Sequence, residues 1–176
     1  YDIDGVHLDD YFYPYPTLLG QGGFPDDASF ADYQEGGGRL ERDDWRRESI
    51  NRFIEKLSQK IRRTDRRVQF GVSPFGIWRP GHPQGVIGLD QFGVIYADPK
   101  RWLHERWVDY LMPQLYWPIS SDQSFSELLT WWSDQNQKGR HLWPGLKIAG
   151  IEDETGRREI LNQIMFTRAL CRISPG

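Results

Sequence analysis

The sequence predicts an α/β fold in which short parallel β-strands alternate with α-helices. Four short apolar runs recur along the 176 residues, and each is followed by a loop and then by a segment with helical periodicity. Such alternation is typical of a parallel sheet with right-handed crossovers. A closed eight-stranded barrel takes about 250 residues, so four β-α units predict a single domain, residues 1–176, that forms half of a (β/α)8 barrel.

The alternative arrangement is an open, doubly wound sheet. That fold binds dinucleotides through a glycine-rich turn after its first strand. No such glycine fingerprint follows any of the four apolar runs. We therefore favour the half-barrel and expect no cofactor.

The first predicted strand, residues 5–9, carries titratable groups at its end. Side chains alternate along a strand, so His7 and Asp9 share one face, while the aliphatic residues between them share the other. Apolar side chains under covering helices and polar groups at the carboxyl end are typical of a barrel strand that carries a site. The adjacent Asp10 is expected to face the opposite side, and either acid can instead cap the following loop.

A long glycine-rich segment, residues 17–42, is predicted to be a loop that forms one wall of a cleft. Residues 43–45 then open an amphipathic helix, because large apolar residues recur after them at helical spacing. Asp44 is the expected N-cap of this helix. Arg46 and Arg47 lie in its first turn, where the helix dipole disfavours cations, so they have carboxylate partners or are surface residues.

The second predicted strand covers residues 68–73 and ends in a turn rich in proline and glycine that carries Trp78 and Arg79. Residues 81–93 form a further loop. The pair Asp98-Pro99 then predicts the start of a helix, with an N-cap followed by proline at the first helical position.

Residues 107–118 carry the third predicted strand. Gln114, Tyr116 and Trp117 stand at its exit. This strand therefore delivers one amide and two aromatic rings to the same sheet edge as the acids of the first strand.

The remaining chain predicts one more helix, strand and helix. Residues 124–127 form a capping box, and their helix is expected to end near Lys138 and Gly139. Residues 142–149 are the fourth predicted strand. Apolar residues at helical spacing from residue 160 to residue 170 predict the last helix.

Composition excludes several classes of protein. Net charge is −3, from 22 basic and 25 acidic residues, so no electrostatic nucleic-acid surface is expected. Aromatic residues make up 14% of the chain, which suits the binding of sugar rings as well as a core. The single cysteine, Cys171, cannot form an internal disulfide. No run of about 18 apolar residues is present, so no membrane-spanning segment is expected.

The ends of the chain predict a piece of a longer protein. The sequence opens without methionine, directly before the strand that carries the acids. On this interpretation the lack of a signal peptide says nothing about export. The oligomeric state is left open by the sequence.

Four segments, in the same order along residues 4 to about 145, resemble the bacterial glycosyl hydrolase-like family 10. They are DGVHLDDYFYP at 4–14, DWRR at 44–47, FGVSPFGIWR at 70–79 and DYLMPQLYWP at 109–118. The resemblance implies an exported, often lipid-anchored TIM-barrel protein, of which this chain is roughly the C-terminal half, strands four to seven. It also implies cleavage of bacterial cell-envelope or extracellular polysaccharides, and at least one member acts on peptidoglycan strands stripped of peptides.

The resemblance also implies roles for the acids. The family is distantly related to the α-amylase barrels, whose nucleophile stands two residues after an inward basic residue; this gives Asp9 the nucleophile's position and His7 the basic one. Glycoside cleavage needs two carboxyl groups. We assign Asp9 as the inward catalytic carboxylate and Asp10 as a supporting group. The second carboxyl is not evident, because the next two strands deliver Ser73 and Gln114.

Side chains near the strand ends are expected to bind the polysaccharide or oligosaccharide substrate. They are His7, Tyr11, Trp78, Arg79, Gln114, Tyr116 and Trp117. Each has a structural interpretation as well: a lone histidine is often a core residue, aromatic rings often plug a barrel, and Arg79 can hold an acid of the protein.

The rival function is a non-catalytic glycan-binding barrel, which keeps the aromatic rings and needs no acid pair. The two are separated by whether Asp9 faces the barrel axis with a perturbed pKa or forms a closed salt bridge with Arg46, Arg47 or Arg79. A metal-dependent deacetylase is disfavoured because no two histidines lie at helical ligand spacing, so no metal is expected. A serine hydrolase is excluded by the missing Gly-x-Ser-x-Gly elbow.

Overall fold

The computed structural model describes residues 2–20, 23–149 and 151–173, with side chains described as far as residue 170. Within these ranges the fold is α/β, with a four-stranded parallel sheet in the order β1-β2-β3-β4. The strands are β1 Gly5–Leu8, β2 Gln69–Val72, β3 Tyr110–Leu111 and β4 His141–Leu142. The predicted parallel pairing of consecutive strands is confirmed.

Helices separate every pair of consecutive strands, which confirms the predicted alternation. They are α1 Asp27–Glu35, α2 Arg42–Thr64, α3 Gln91–Val94, α4 Pro99–His104, α5 Phe125–Gln135 and α6 Glu154–Ile173, with a short 3₁₀ helix at Pro16–Leu18. In the described parts of the chain, no helix is long and apolar enough to cross a lipid bilayer.

The hydrophobic core covers one face of the sheet. Phe70, Val72 and Leu111 of the strands are fully or almost fully buried, in the same cluster as Trp102 of α4 and Trp132 of α5. Val6 and Leu8 pack against this cluster, whereas His7 between them is exposed on the opposite face, as strand alternation predicts.

Each of the two buried indoles also forms a hydrogen bond. The Nε1 of Trp102 donates to Oδ1 of Asn51 at 2.8 Å, and the Nε1 of Trp132 donates to the carbonyl oxygen of Gly76 at 2.8 Å. Burying an unpaired indole N–H is unfavourable, so these bonds fix α4 against α2 and α5 against the loop after β2.

The register of the sheet aligns one row of residues on its second face. Gly5 pairs with Gln69, so His7 lies beside Gly71, Gly71 beside Tyr110, and Tyr110 beside His141. The ring of Tyr110 lies over Gly71, and a methyl group at Gly71 would overlap it. The absence of a side chain at Gly71 is therefore what allows Tyr110 to approach His7.

Replacing Gly71 by alanine is expected to lower the free energy of unfolding by about 2 kcal/mol, because the added methyl group forces Tyr110 out of its place. Urea denaturation of the two proteins measures this difference. Gly20→Ala is the control, since a Cβ at Gly20 meets no atom within 4 Å. Equal stability of Gly71→Ala and the parent protein would contradict the packing described here.

Two predicted helix starts are confirmed and one is wrong. The side chain of Asp98 accepts from the backbone N–H of Arg101, with Pro99 at the first helical position, and Ser124 caps α5 through the N–H of Glu127. Asp44 is not an N-cap. Helix α2 begins at Arg42, so Asp44 lies in its first turn, where its negative charge suits the helix dipole.

Several element boundaries differ from the predictions. The predicted loop 81–93 runs into helix α3, because the side chain of Asp90 accepts from the backbone N–H of Gly93 and caps this helix. The predicted loop 17–42 contains α1, and α5 ends at Gln135, because the side chain of Asn136 bonds the backbone of Arg140 and closes a turn. Strand β4 ends at Leu142 rather than at residue 149. Pro144 has no N–H to continue the ladder, and only an isolated bridge at Gly145 follows.

Candidate active site

Asp9 lies just beyond the carboxyl end of β1, with an exposed side chain. Its Oδ1 accepts hydrogen bonds from Nε2 of Gln114 at 2.8 Å and from the backbone N–H of Asp10 at 3.0 Å. The same Nε2 of Gln114 donates to the carbonyl oxygen of Ser73 at 3.0 Å. The amide of Gln114 therefore links the ends of three strands, and the Oδ2 of Asp9 accepts no bond from the described residues.

The arginines considered as partners of Asp9 pair with other acids. Arg46 bonds Asp26, Arg47 bonds Asp44 at 2.6 Å, and Arg79 lies 3.4 Å from Asp90. Of the two alternatives for Arg46 and Arg47, the structure therefore shows the carboxylate partners. Within residues 2–20, 23–149 and 151–170, no ion pair involves Asp9.

Asp10, unlike Asp9, is buried, with 3% of its surface exposed. Its Oδ2 accepts a hydrogen bond from the hydroxyl of Tyr15. Burial raises the pKa of Asp10, the bond from Tyr15 lowers that pKa in part, and the negative charge of Asp9 raises it further. Burial and the bond to Asp10 likewise raise the pKa of Tyr15. Asp10 thus holds the loop after β1 against the end of the strand.

The raised pKa of Asp10 makes stability depend on pH in a defined direction. Below about pH 4 the group is protonated in both the folded and the unfolded chain, and as pH rises through the folded-state pKa its contribution to folding is lost. Asp10→Asn cannot ionise and keeps an acceptor for Tyr15. The free energy of unfolding of the parent protein relative to this variant is therefore expected to fall from pH 3.5 to 7.

Urea denaturation across this pH range measures the difference. Asp32→Asn is the matched control, because Asp32 is exposed on α1 and its curve should run parallel to that of the parent. If Asp10→Asn also runs parallel to the parent, the buried acid does not couple folding to pH.

His7 is held by its two ring nitrogens. Nε2 lies 2.9 Å from Oγ of Ser73, and Nδ1 lies 3.0 Å from the hydroxyl of Tyr110. The ring also stacks on Tyr110, with centroids 5.6 Å apart. Because both nitrogens are engaged, a hydrogen bond from His7 to the substrate needs one of these two partners to move.

Tyr116 lies beside the two acids. Burial raises the pKa of Tyr116, and the negative charges of Asp9 and Asp10 raise it further, while 45% of the residue stays exposed. Tyr11 is 67% exposed and contacts the ring of Tyr15 edge-on at 5.5 Å. These two exposed rings flank the acids.

Two predicted site residues lie in a different cluster. The Nε1 of Trp78 donates to Asp98 at 3.0 Å, and its ring stacks on Trp131 of α5 at 5.7 Å. Arg79 binds Asp90 and lies over the ring of Phe92. The structure thus brings together His7, Asp9, Asp10, Tyr11, Gln114 and Tyr116, but not Trp78 and Arg79. Trp117 is partly buried against Phe75, next to this group.

Comparison with known proteins assigns the chain to a protein family. The profile of the glycosyl hydrolase-like 10 family matches residues 1–158, which include the whole acid cluster, namely His7, Asp9, Asp10, Tyr11, Gln114 and Tyr116. The chain belongs to the glycosyl hydrolase-like 10 family. Membership of this family indicates a glycan-related function.

Relatives of this glycosyl hydrolase-like 10 chain are found in several bacteria. Glycosyl hydrolase YngK of Bacillus subtilis (strain 168) is 38% identical over 182 residues, which is 97% of this chain and 35% of the relative. Glycosyl hydrolase DigH of Escherichia coli (strain K12) is 37% identical over 140 residues, which is 76% of this chain and 30% of the relative. The chain spans about a third of the length of these curated relatives.

The sequence analysis assigned no role in the site to four residues that support it. Ser73 and Tyr110 hold His7, Tyr15 holds Asp10, and Asp26 fixes the loop. Ser73 ends the second predicted strand, so its position beside His7 follows from the parallel register. In the same described ranges, no group of three or more histidine, cysteine or acidic side chains is placed to hold a metal ion.

Asp26 ties the loop after β1 to helix α2. It is 5% exposed and accepts two bonds from Arg46, both at 2.7 Å, one from Arg42 at 3.0 Å and one from Tyr13 at 3.2 Å. The bonds from Arg46 lower the pKa of Asp26, so the acid stays ionised. The loop that carries Asp10 and Tyr15 is therefore anchored on both sides.

Proposed function

We propose that the protein is a glycoside hydrolase that cleaves a bacterial cell-envelope or extracellular polysaccharide, with Asp9 as its catalytic carboxylate. The observation that carries this proposal is the state of Asp9: it is exposed at a strand end, oriented by Gln114, and bound to no cation in the described chain. A purely structural acid is commonly paired with a cation, as Asp26 is with Arg46.

The arrangement suits attack on a glycosidic bond. The Oδ1 of Asp9 is fixed by two donors, which leaves Oδ2 to approach the anomeric carbon as a nucleophile, or to take a proton from water as a base. Asp10 is buried and bound to Tyr15, so we assign it a supporting role. The acid that protonates the leaving oxygen is assigned to strands of the barrel other than the four described here.

The sheet supports a (β/α)8 barrel as the complete fold. Four parallel strands in sequential order, with helices on one face and polar groups at the carboxyl ends, match consecutive strands of such a barrel. We place the activity outside the cytoplasm, where bacterial envelope glycans lie, with peptide-free peptidoglycan strands as the first substrate to test.

The test is the release of new reducing ends. The full-length protein is incubated with peptide-free glycan strands. The products are then separated and identified by mass spectrometry. Hydrolysis is expected to yield shorter oligosaccharides. Retention of the intact strands on the protein without release would instead favour a non-catalytic glycan-binding barrel, for which the exposed rings of Tyr11 and Tyr116 suffice.

A further inference from the structure

A cavity of about 490 Å³ opens beside Tyr116, next to the acid cluster. It is bounded by the loops after β3 and β4 and by the first turns of α6, and this volume is in the range of sites for small molecules. The residues that matter for its chemistry are Tyr116, Trp117, Lys147, Asp153, Glu159 and Gln163. Tyr116 lines this cavity and follows Gln114, which binds Asp9, by two residues, so the cavity lies near the acids.

A buried amide oxygen in the cavity wall has no hydrogen-bond donor. Gln163 is 4% exposed, and its Nε2 donates to Glu159 at 2.7 Å and to the carbonyl oxygen of Trp117 at 3.2 Å. Its Oε1 has no partner among the described residues. Buried acceptors in folded proteins are normally satisfied, so a hydroxyl or N–H group of a ligand would supply what this oxygen lacks.

The two acids of the cavity already hold backbone groups. The Oδ1 of Asp153 accepts from the N–H of Gly156 at 2.7 Å, and Oε1 of Glu159 accepts from the N–H of Ile119 at 2.8 Å. Lys147, by contrast, is exposed and has no ion pair or hydrogen bond in the described chain. The cavity therefore offers acceptor oxygens, one available cationic donor and a wall of two aromatic rings.

We infer that this cavity is a second sugar-binding subsite, occupied by a further residue of the same glycan chain that Asp9 cleaves. This inference rests on the proposed function. A saccharide presents hydroxyl groups that both donate and accept, and its ring has an apolar face that suits an aromatic wall. In this subsite Lys147 donates to an oxygen of the sugar, and the oxygen of Gln163 accepts from one of its hydroxyl groups.

The test measures affinity against chain length. In the Asp9→Asn background, binding of peptide-free glycan oligosaccharides of two and six sugar residues is measured by calorimetry. The longer ligand is expected to bind more tightly, and Lys147→Met is expected to reduce its affinity about tenfold, the worth of one charge-assisted hydrogen bond, while the disaccharide is unaffected. Lys147→Arg is expected to keep most of the affinity for the longer oligosaccharide.

Lys138→Met is the matched control, because it removes the same charge at the opposite, amino end of β4. Lys138→Met should leave the affinities for both the short and the long oligosaccharide unchanged. An unchanged affinity of Lys147→Met for the long oligosaccharide would overturn the subsite, even if the protein hydrolyses glycans. The other outcome is an affinity that rises with chain length through Lys147 in a protein that releases no reducing ends. That result would retain the subsite and reject the hydrolase.

Discussion

Replacing Asp9 by asparagine is expected to abolish glycan hydrolysis while the melting temperature stays unchanged. Asparagine keeps an oxygen that accepts from Gln114 and from the N–H of Asp10, so the local hydrogen bonds survive. It cannot act as a nucleophile or as a base. From the loss seen when single catalytic groups are removed, we expect kcat to fall about a thousandfold or more.

Rates of reducing-end release, with equal amounts of folded protein, measure this effect. Asp32→Asn is the control, because Asp32 is an exposed acid on α1, and its rate should equal that of the parent. If Asp9→Asn hydrolyses the strands as fast as the parent protein, Asp9 has no catalytic role and the proposal in its present form is lost.

Replacing Asp26 by alanine is expected to lower the free energy of unfolding by about 3 kcal/mol. The buried carboxylate accepts from Arg46, Arg42 and Tyr13, and its removal leaves the guanidinium of Arg46, whose side chain is only 14% exposed, without its main partner. The cost comes chiefly from that stranded charge. Urea denaturation at pH 7 measures it.

The neighbouring acid provides the matched control. Asp27 is 89% exposed and pairs with the same Arg42 at 2.5 Å, so Asp27→Ala is expected to cost less than about 1 kcal/mol. If Asp26→Ala and Asp27→Ala lower the free energy of unfolding equally, the ion pair with Arg46 does not anchor the loop.

The alternation of strands and helices was predictable because each strand is a short apolar run and each long helix carries apolar residues at helical spacing. The meeting of Asp9 with Gln114 was predictable in outline, since the carboxyl ends of parallel strands lie at one edge of the sheet. Which amide atom orients the acid depends on side-chain rotamers, and these are fixed by packing.

Helix α1 and the role of Asp26 were not predictable from local sequence. Glycines flank α1, and its mostly polar residues are typical of a loop; its Phe30 packs on Trp45 of α2 at 5.2 Å, so the helix depends on a tertiary contact. Asp26 and Asp27 are chemically equal neighbours. The partners that make Asp26 a buried anchor include Arg46, twenty residues further on, and Tyr13.

Trp78 and Arg79 show why a position after a strand does not suffice to place a residue in the site. The loop after β2 is long, and in it Trp78 reaches the N-cap of α4 and the surface of α5. The competing partner Asp98 lies in the following unit, so strand position alone did not reveal it.

The parallel register has a consequence for the order of folding. Gly5 pairs with Gln69, whereas Tyr110 pairs with His141, so the loop that closes to join β1 to β2 is roughly twice as long and adds about 0.6 kcal/mol of closure entropy. We expect β3 and β4 to come together early and β1 to dock late. Asp9 then arrives after Gln114 is in place, so the proposed catalytic carboxylate is among the last groups to be positioned as the protein folds.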